Sequence, residues 1–246
     1  MTSALWPAHH SGEWGNALDE AINQLHRGAV VVLPTDTVYG IGADAFNPSA
    51  VNALLRAKGR GRHMPPPVLV ASPATIDALA THVPEGARAL AERFWPGGLT
   101  LICHAQPSLA WDLGETQGTV ALRVPDHPTA LALLQRTGPL AVSSANRTGG
   151  EAALTAQQAR DQLGDSVAVY LDAGEVPGGV ASTIVDATTE NLRLIRAGAV
   201  SLEELRAVTF VLDVGEELPD SPDVSATDQA MTAGSPTSDS QELSDQ

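Results

Sequence analysis

Lys58 is the only lysine in a chain of 246 residues, and it lies in the densest basic run, Arg56-Ala57-Lys58-Gly59-Arg60-Gly61-Arg62. An ammonium on a flexible stem follows a shifting phosphate or carboxylate, whereas a guanidinium fork clamps such a group bidentately. Gly59 and Gly61 let the backbone approach a ligand closely. A solvated charged surface looks similar in sequence, so other residues must decide. Polar groups recur where aliphatic runs begin or end. Thr35, Asp36 and Thr37 follow Val30-Val31-Val32-Leu33, and Arg123 closes Thr119-Val120-Ala121-Leu122. Ser143-Ser144-Ala145-Asn146 follows Leu140-Ala141-Val142, Ser182 opens one run and Arg196 closes another. A guanidinium in an apolar strand is costly unless it faces an anion or a pocket. Hydroxyls and amides donate to phosphate or carboxylate oxygens. Taken together, these cations and hydroxyls predict a pocket for a polyanion.

Other chemistries lack their signatures. Gly40-Ile41-Gly42 has no third glycine and no helix starting directly after it, so it is not a dinucleotide fingerprint. Neither a GxxxxGK[ST] phosphate loop nor a GxSxG nucleophile elbow occurs. His104 and His127 lack a histidine four residues on, and the single cysteine, Cys103, sits in an aliphatic run that reads as a buried strand. No protein-held metal is expected from these residues. Asp36 stays open as a base, a metal ligand or a loop cap.

The elements that must carry these groups alternate in type. Apolar spacing predicts helices over 16–27, 48–57, 73–81, 85–94, 129–135, 155–163 and 201–207. Strands are expected at 29–33, 68–70, 99–104, 119–124, 140–142, 167–171, 182–186 and 192–196, with 34–42 as the loop after the first. The run at 29–33 is apolar throughout, as a strand buried on both faces must be. Strands 99–104 and 119–124 have no helical crossover between them, so the sheet should be mixed, in an α/β domain.

Composition sets the limits. The net charge is −15, yet all 14 basic residues precede residue 213 and nine acidic ones follow it or fall on it, leaving a net of −6 before the tail. That balance argues against holding structured RNA by phosphate neutralisation, and still permits a local basic pocket. Residues 1–14 read as a flexible lead-in and 15–207 as one folded domain. Residues 208–246 read as a short apolar segment followed by a disordered acidic tail. With no signal-peptide core and no long apolar run, a cytoplasmic protein without membrane contact is expected.

Six ordered segments carry a resemblance. They are Pro34-Thr35-Asp36-Thr37-Val38-Tyr39-Gly40, Lys58-Gly59-Arg60, the run from Ala121 to Pro128 (ALRVPDHP), Ser143-Ser144-Ala145-Asn146, Ser182-Thr183-Ile184-Val185-Asp186 and Arg196-Ala197-Gly198. Together they are similar to the YrdC-like threonylcarbamoyl-AMP synthase family over about residues 15–207. The resemblance implies a twisted mixed sheet flanked by helices around a concave, positively charged cavity. It implies a reaction of L-threonine, bicarbonate or CO2 and ATP, with Mg²⁺ accompanying the nucleotide, that yields threonylcarbamoyl-AMP and pyrophosphate. Separate transferase proteins would then modify position 37 of tRNA, with weak or no stable tRNA binding by this chain. By the resemblance, Lys58, Arg60, Ser144 and Asn146 form the active-site set, and Thr35, Arg123 and Ser182 bind threonine. Lys58, Arg62, Thr119, Ser144 and Arg196 contact the nucleotide. At Ala71 many relatives carry a histidine, which puts one threonine contact in doubt. Some relatives also carry a second C-terminal domain, where this chain has the acidic segment. An RNA-binding or ribosome-maturation module using the same cavity is the alternative reading.

Overall fold

The computed structural model describes residues 4–12 and 14–218. The acidic segment lies almost wholly outside the described residues, beyond 218. Twelve strands form one sheet among the described residues. In chain order they are β1 (Ala4–Pro7), β2 (Val31–Leu33), β3 (Gly40–Asp44), β4 (Val68–Leu69), β5 (Ala80–Thr81), β6 (Leu99–Ala105) and β7 (Thr119–Arg123), followed by β8 (Leu140–Ser144), β9 (Val169–Asp172), β10 (Thr183–Asp186), β11 (Leu192–Arg196) and β12 (Val211–Leu212). The helices are α1 (Trp14–His26), α2 (Pro48–Lys58), α3 (Ile76–Leu79), α4 (Glu85–Phe94), α5 (Pro128–Thr137), α6 (Ala156–Leu163) and α7 (Leu202–Arg206). Strands run in the order β1-β9-β2-β3-β8-β4-β7-β6-β10-β11-β12, with β5 paired to β6. Pairing is mixed: β6 meets β7 antiparallel and β10 parallel.

Two packing layers explain why the apolar run at 30–33 is continuous. Val30 and Val32 join a core with residues of α2, α4 and α6, while Val31 and Leu33 join one with α1 and α5. Along β6 and β7 the alternation has a different second face. Leu99, Leu101, Cys103, Val120 and Leu122 enter the first core. Their neighbours Thr100, Ile102, Thr119, Ala121 and Arg123 line a cavity instead. One face of the sheet is thus shared between the α1 and α5 helices and an open floor.

The helix expected over 73–81 ends at Leu79 and Ala80–Thr81 form β5, and three further sequence expectations change. The Gly40-Ile41-Gly42 segment is not a loop but the start of β3, antiparallel to both β2 and β8. Its glycines serve close packing: a Cβ on Gly40 would lie 2.6 Å from Val142 Cγ1. Ala4–Pro7 is not a loose lead-in, because it pairs in register with Val169–Asp172. The domain also runs past residue 207, since Val211 and Leu212 pair with β11. All three segments are too short or too glycine-rich for periodicity to reveal, and partner strands define them.

Candidate active site

Helix α2 delivers the basic run. The Asn47 side chain accepts from Ser49 N and Ala50 N, Pro48 occupies the first turn, and Gly59 ends the helix at φ 64°. That left-handed turn places Lys58 inside and turns the chain toward Arg60. Lys58 is buried, and its Nζ donates to the carbonyls of Ser144 and Asn146, the latter at 2.7 Å. Two of its three N–H groups are therefore spent on tying α2 to the Ser143–Asn146 turn. Burial first, and the Arg60 charge second, lower its pKa from 10.5 to about 8.

A cavity of about 440 Å³ spans the open floor from β3 to β11, bounded by Arg60, Arg123, Ser143, Ser182 and Arg196 among others. A smaller one of about 190 Å³ is bordered by Lys58, Met64, Thr148 and Gly149, and shares Arg60, Ser144 and Asn146 with the first. Arg60 Nη1 donates to Ser143 Oγ at 2.9 Å. Arg196 clasps Ser182, donating to its carbonyl at 2.7 Å and to its hydroxyl at 3.1 Å. Burial lowers the pKa of Arg60, Arg123 and Arg196, and the Arg196 charge adds to the effect on the other two. Among the described residues no carboxylate forms an ion pair with Lys58, Arg60 or Arg196. Mutually repelling, half-desolvated cations of this kind gain most from a polyanion. Arg60 Nε and Asn146 Oδ1 are buried without a hydrogen-bond partner, which leaves polar capacity in the wall between the two cavities.

Arg123 is held differently. Its Nε donates to Gly97 O at 2.9 Å, Nη1 to Thr37 Oγ1 at 2.9 Å and Nη2 to Asp36 Oδ1 at 2.6 Å. Asp36 Oδ1 also accepts from Asp126 N at 2.9 Å, so this carboxylate orients a guanidinium. Three of five N–H groups are used, leaving two for a ligand carboxylate. The hydroxyls behind it are fully committed. Thr35 Oγ1 donates to Val38 O at 2.6 Å, so the 3.1 Å contact with Thr37 requires Thr37 to be the donor. Thr35 lines the cavity but has no proton left to give, and it supports Arg123 through Thr37.

Of the residues expected from sequence, Thr35, Arg60, Thr119, Arg123, Ser144, Asn146, Ser182 and Arg196 border the larger cavity, while Lys58 reaches only the smaller one. Arg62 does not join either. It is exposed and paired with Asp112 at 2.6 Å, with Asn52 as a second partner, because the local carboxylate competes for it at the surface. Ala71 packs against the α1/α5 core. Thr37 and Ser143, quoted in the polar segments without a contact of their own, also line the larger cavity, and Thr100 lines it without having been singled out in the sequence. The alternation in Leu99-Thr100-Leu101-Ile102 was the available signal for Thr100. Cys103 is buried, and burial pushes its thiol up to about 12.

For magnesium, the carboxylate nearest the cations, Asp36, is engaged by Arg123 and the Asp126 amide. No group of three or more His, Cys, Asp or Glu that could hold a metal occurs among the described residues. Among the described residues, Asp36 as placed is therefore not poised to hold a magnesium ion. No helix among the described residues is long and apolar enough to cross a membrane.

Known proteins are similar to this chain in sequence and fold. The family model for Sua5, YciO and YrdC proteins, described as "Telomere recombination", matches residues 23–198. A putative threonylcarbamoyl-AMP synthase of Mycobacterium tuberculosis is 56% identical over 191 residues, covering 78% of this chain and 88% of the relative. The threonylcarbamoyl-AMP synthase of Bacillus subtilis is 38% identical over 223 residues, covering 87% and 64%. The crystal structure of P. abyssi Sua5 complexed with L-threonine superposes with a TM-score of 0.79 at 32% identity, covering 85% of this chain and 62% of that one.

Proposed function

The chain belongs to the Sua5/YciO/YrdC family, and we propose that it makes threonylcarbamoyl-AMP and pyrophosphate from L-threonine, bicarbonate or CO2, and ATP. One observation carries the reading: segments scattered from Thr35 to Arg196 converge on a single cavity of about 440 Å³ with three arginines in its wall. The relatives favour this nucleotidyltransferase over an RNA-binding module.

The chemistry asks for little beyond positioning and charge. The threonine nitrogen bonds to the carbon of CO2 and loses a proton, giving a carbamate. A carbamate oxygen then bonds to the α-phosphorus while the bond to the β-phosphate oxygen breaks and pyrophosphate leaves. Holding three reactants in line offsets most of the entropic cost. Arg123, with two N–H groups free, takes the threonine carboxylate, and Ser182 completes that side. Thr35 acts by bracing Arg123. Arg60 and Arg196 face the phosphates and stabilise the charge that develops on the leaving group. Thr119 and Ser144 border the nucleotide side, with Asn146 in the shared wall. Lys58 fixes the Ser143–Asn146 turn and offers its remaining N–H to the phosphate chain. Magnesium would accompany the nucleotide and lend its positive charge there, and no step above depends on a protein ligand to it.

The product would serve transferases that modify tRNA in the cytoplasm, with only weak contact between this chain and tRNA. Residues 15–207 hold every proposed contact, and the two short flanking strand pairings close the sheet around them. The test is pyrophosphate release from ATP and bicarbonate with and without L-threonine. Release that needs threonine is expected, and threonine-independent release or none overturns the proposal.

A further inference from the structure

On the cavity floor, β6 and β10 run parallel with Thr100 opposite Ile184 and Ile102 opposite Asp186. Thr100, Ile102, Ser182 and Ile184 all line the cavity. Strand alternation turns all four toward the cavity, with Thr100 level with Ile184, Ser182 one step before that level and Ile102 one step beyond it. Thr100 Oγ1 and Ser182 Oγ lie 2.9 Å apart, both buried, and Ser182 Oγ also accepts from Arg196 Nη2 at 3.1 Å.

Proton counting makes this pair informative. Two hydroxyls hold two protons, and their mutual hydrogen bond consumes one. The arginine only donates, so it cannot accept the other. Whichever hydroxyl donates within the pair, one proton remains to be given to an acceptor outside it. The neutral pair also contrasts with Arg123, whose free N–H groups suit a carboxylate. A hydroxyl reader beside an apolar step matches a carbon that bears one hydroxyl and one methyl group.

We propose that Thr100, acting with Ser182, is the specificity-determining reader of the substrate amino acid's side chain: the pair donates to its β-hydroxyl while Ile102 and Ile184 receive its methyl group. This rests on the synthase reading above, and it assigns to Thr100 a role in substrate choice. The arrangement discriminates against valine, which leaves the buried proton unpaired, and against allo-threonine, which exchanges the two substituents.

Either hydroxyl alone can still supply a proton, so the variants should behave non-additively. Steady-state pyrophosphate release gives kcat/KM for L-threonine and L-valine in the wild type, T100V, S182A, T100S and T100V/S182A. We expect the wild type to prefer threonine by roughly 100-fold or more. T100V and S182A should each lose less than about tenfold on threonine, T100S should stay near wild type, and the double variant should lose about 100-fold on threonine with a much smaller loss on valine. An equal loss on threonine and valine, or a T100V loss as large as that of the double variant, overturns the assignment. Threonine-independent behaviour of the wild type overturns the synthase reading and this assignment with it. Circular dichroism melts of each variant separate lost folding from lost recognition.

Discussion

Because the chain has one lysine, Lys58 can be watched directly. Protein labelled with ¹³Cε-lysine has a single side-chain resonance to follow against pH. Buried, with the Arg60 charge nearby, the ammonium should titrate near pH 8 instead of 10.5. At a pKa of about 8, roughly one molecule in ten carries a neutral amine at pH 7 and roughly nine in ten at pH 9. Burial is the larger cause and Arg60 the smaller, so Arg60→Ala should recover less than half of the displacement. A bound nucleotide brings negative charge beside the amine and should raise the midpoint again. The catalytic counterpart is a fall in kcat/KM for ATP as the free enzyme passes pH 8. The stability linkage has a defined sign. Between about pH 8 and 10.5 the unfolded chain binds more protons at this site than the folded one, so its contribution to stability rises with pH across that window. A midpoint at or above 10 in the free protein would refute desolvation as the dominant influence on this ammonium. A midpoint that ignores nucleotide would refute the phosphate role.

Further outcomes follow from individual contacts. Asp36→Ala leaves Arg123 buried without its 2.6 Å carboxylate partner, and should cost about 3–5 kcal/mol in urea unfolding. A loss below about 1 kcal/mol would mean that water already screens the pair. Arg62→Ala removes a surface pair with Asp112 that faces neither cavity, so the KM for ATP should change less than about threefold. Cys103 should resist a thiol reagent in the folded state and react only on unfolding, since its thiol is fully buried and pushed up to about 12. Rapid modification under native conditions would contradict the position of β6 in the core.

Much of the architecture was legible because periodicity reports burial. Helices α1, α2 and α4 showed their apolar stripes, and 30–33 showed a strand covered on both sides. The missing strands had no such signal. β1, β5 and β12 have two to four residues each, and β3 begins Gly-Ile-Gly, which local propensity assigns to a turn. Only the antiparallel neighbours β2 and β8, with Leu33 and Val142 filling the space above the glycines, make it a strand. Arg62 lies outside both cavities for a related reason. Spacing in the basic run gave no notice of Asp112, fifty residues away.

By itself the sequence determined the chemical inventory: one lysine, and arginines and hydroxyls at the ends of aliphatic runs, with no histidine pair at zinc-binding spacing. Those facts are local, set by residue type and neighbours along the chain. Proton allocation was decided only in three dimensions. Thr35 and Thr37 spend their hydrogens bracing Arg123, Lys58 spends two on the Ser143–Asn146 turn, and the Thr100–Ser182 pair keeps one in reserve. The partners in the longest of these bonds lie more than eighty residues apart. A hydrogen bond is set by distance in space, and a sheet that joins distant strands supplies that distance.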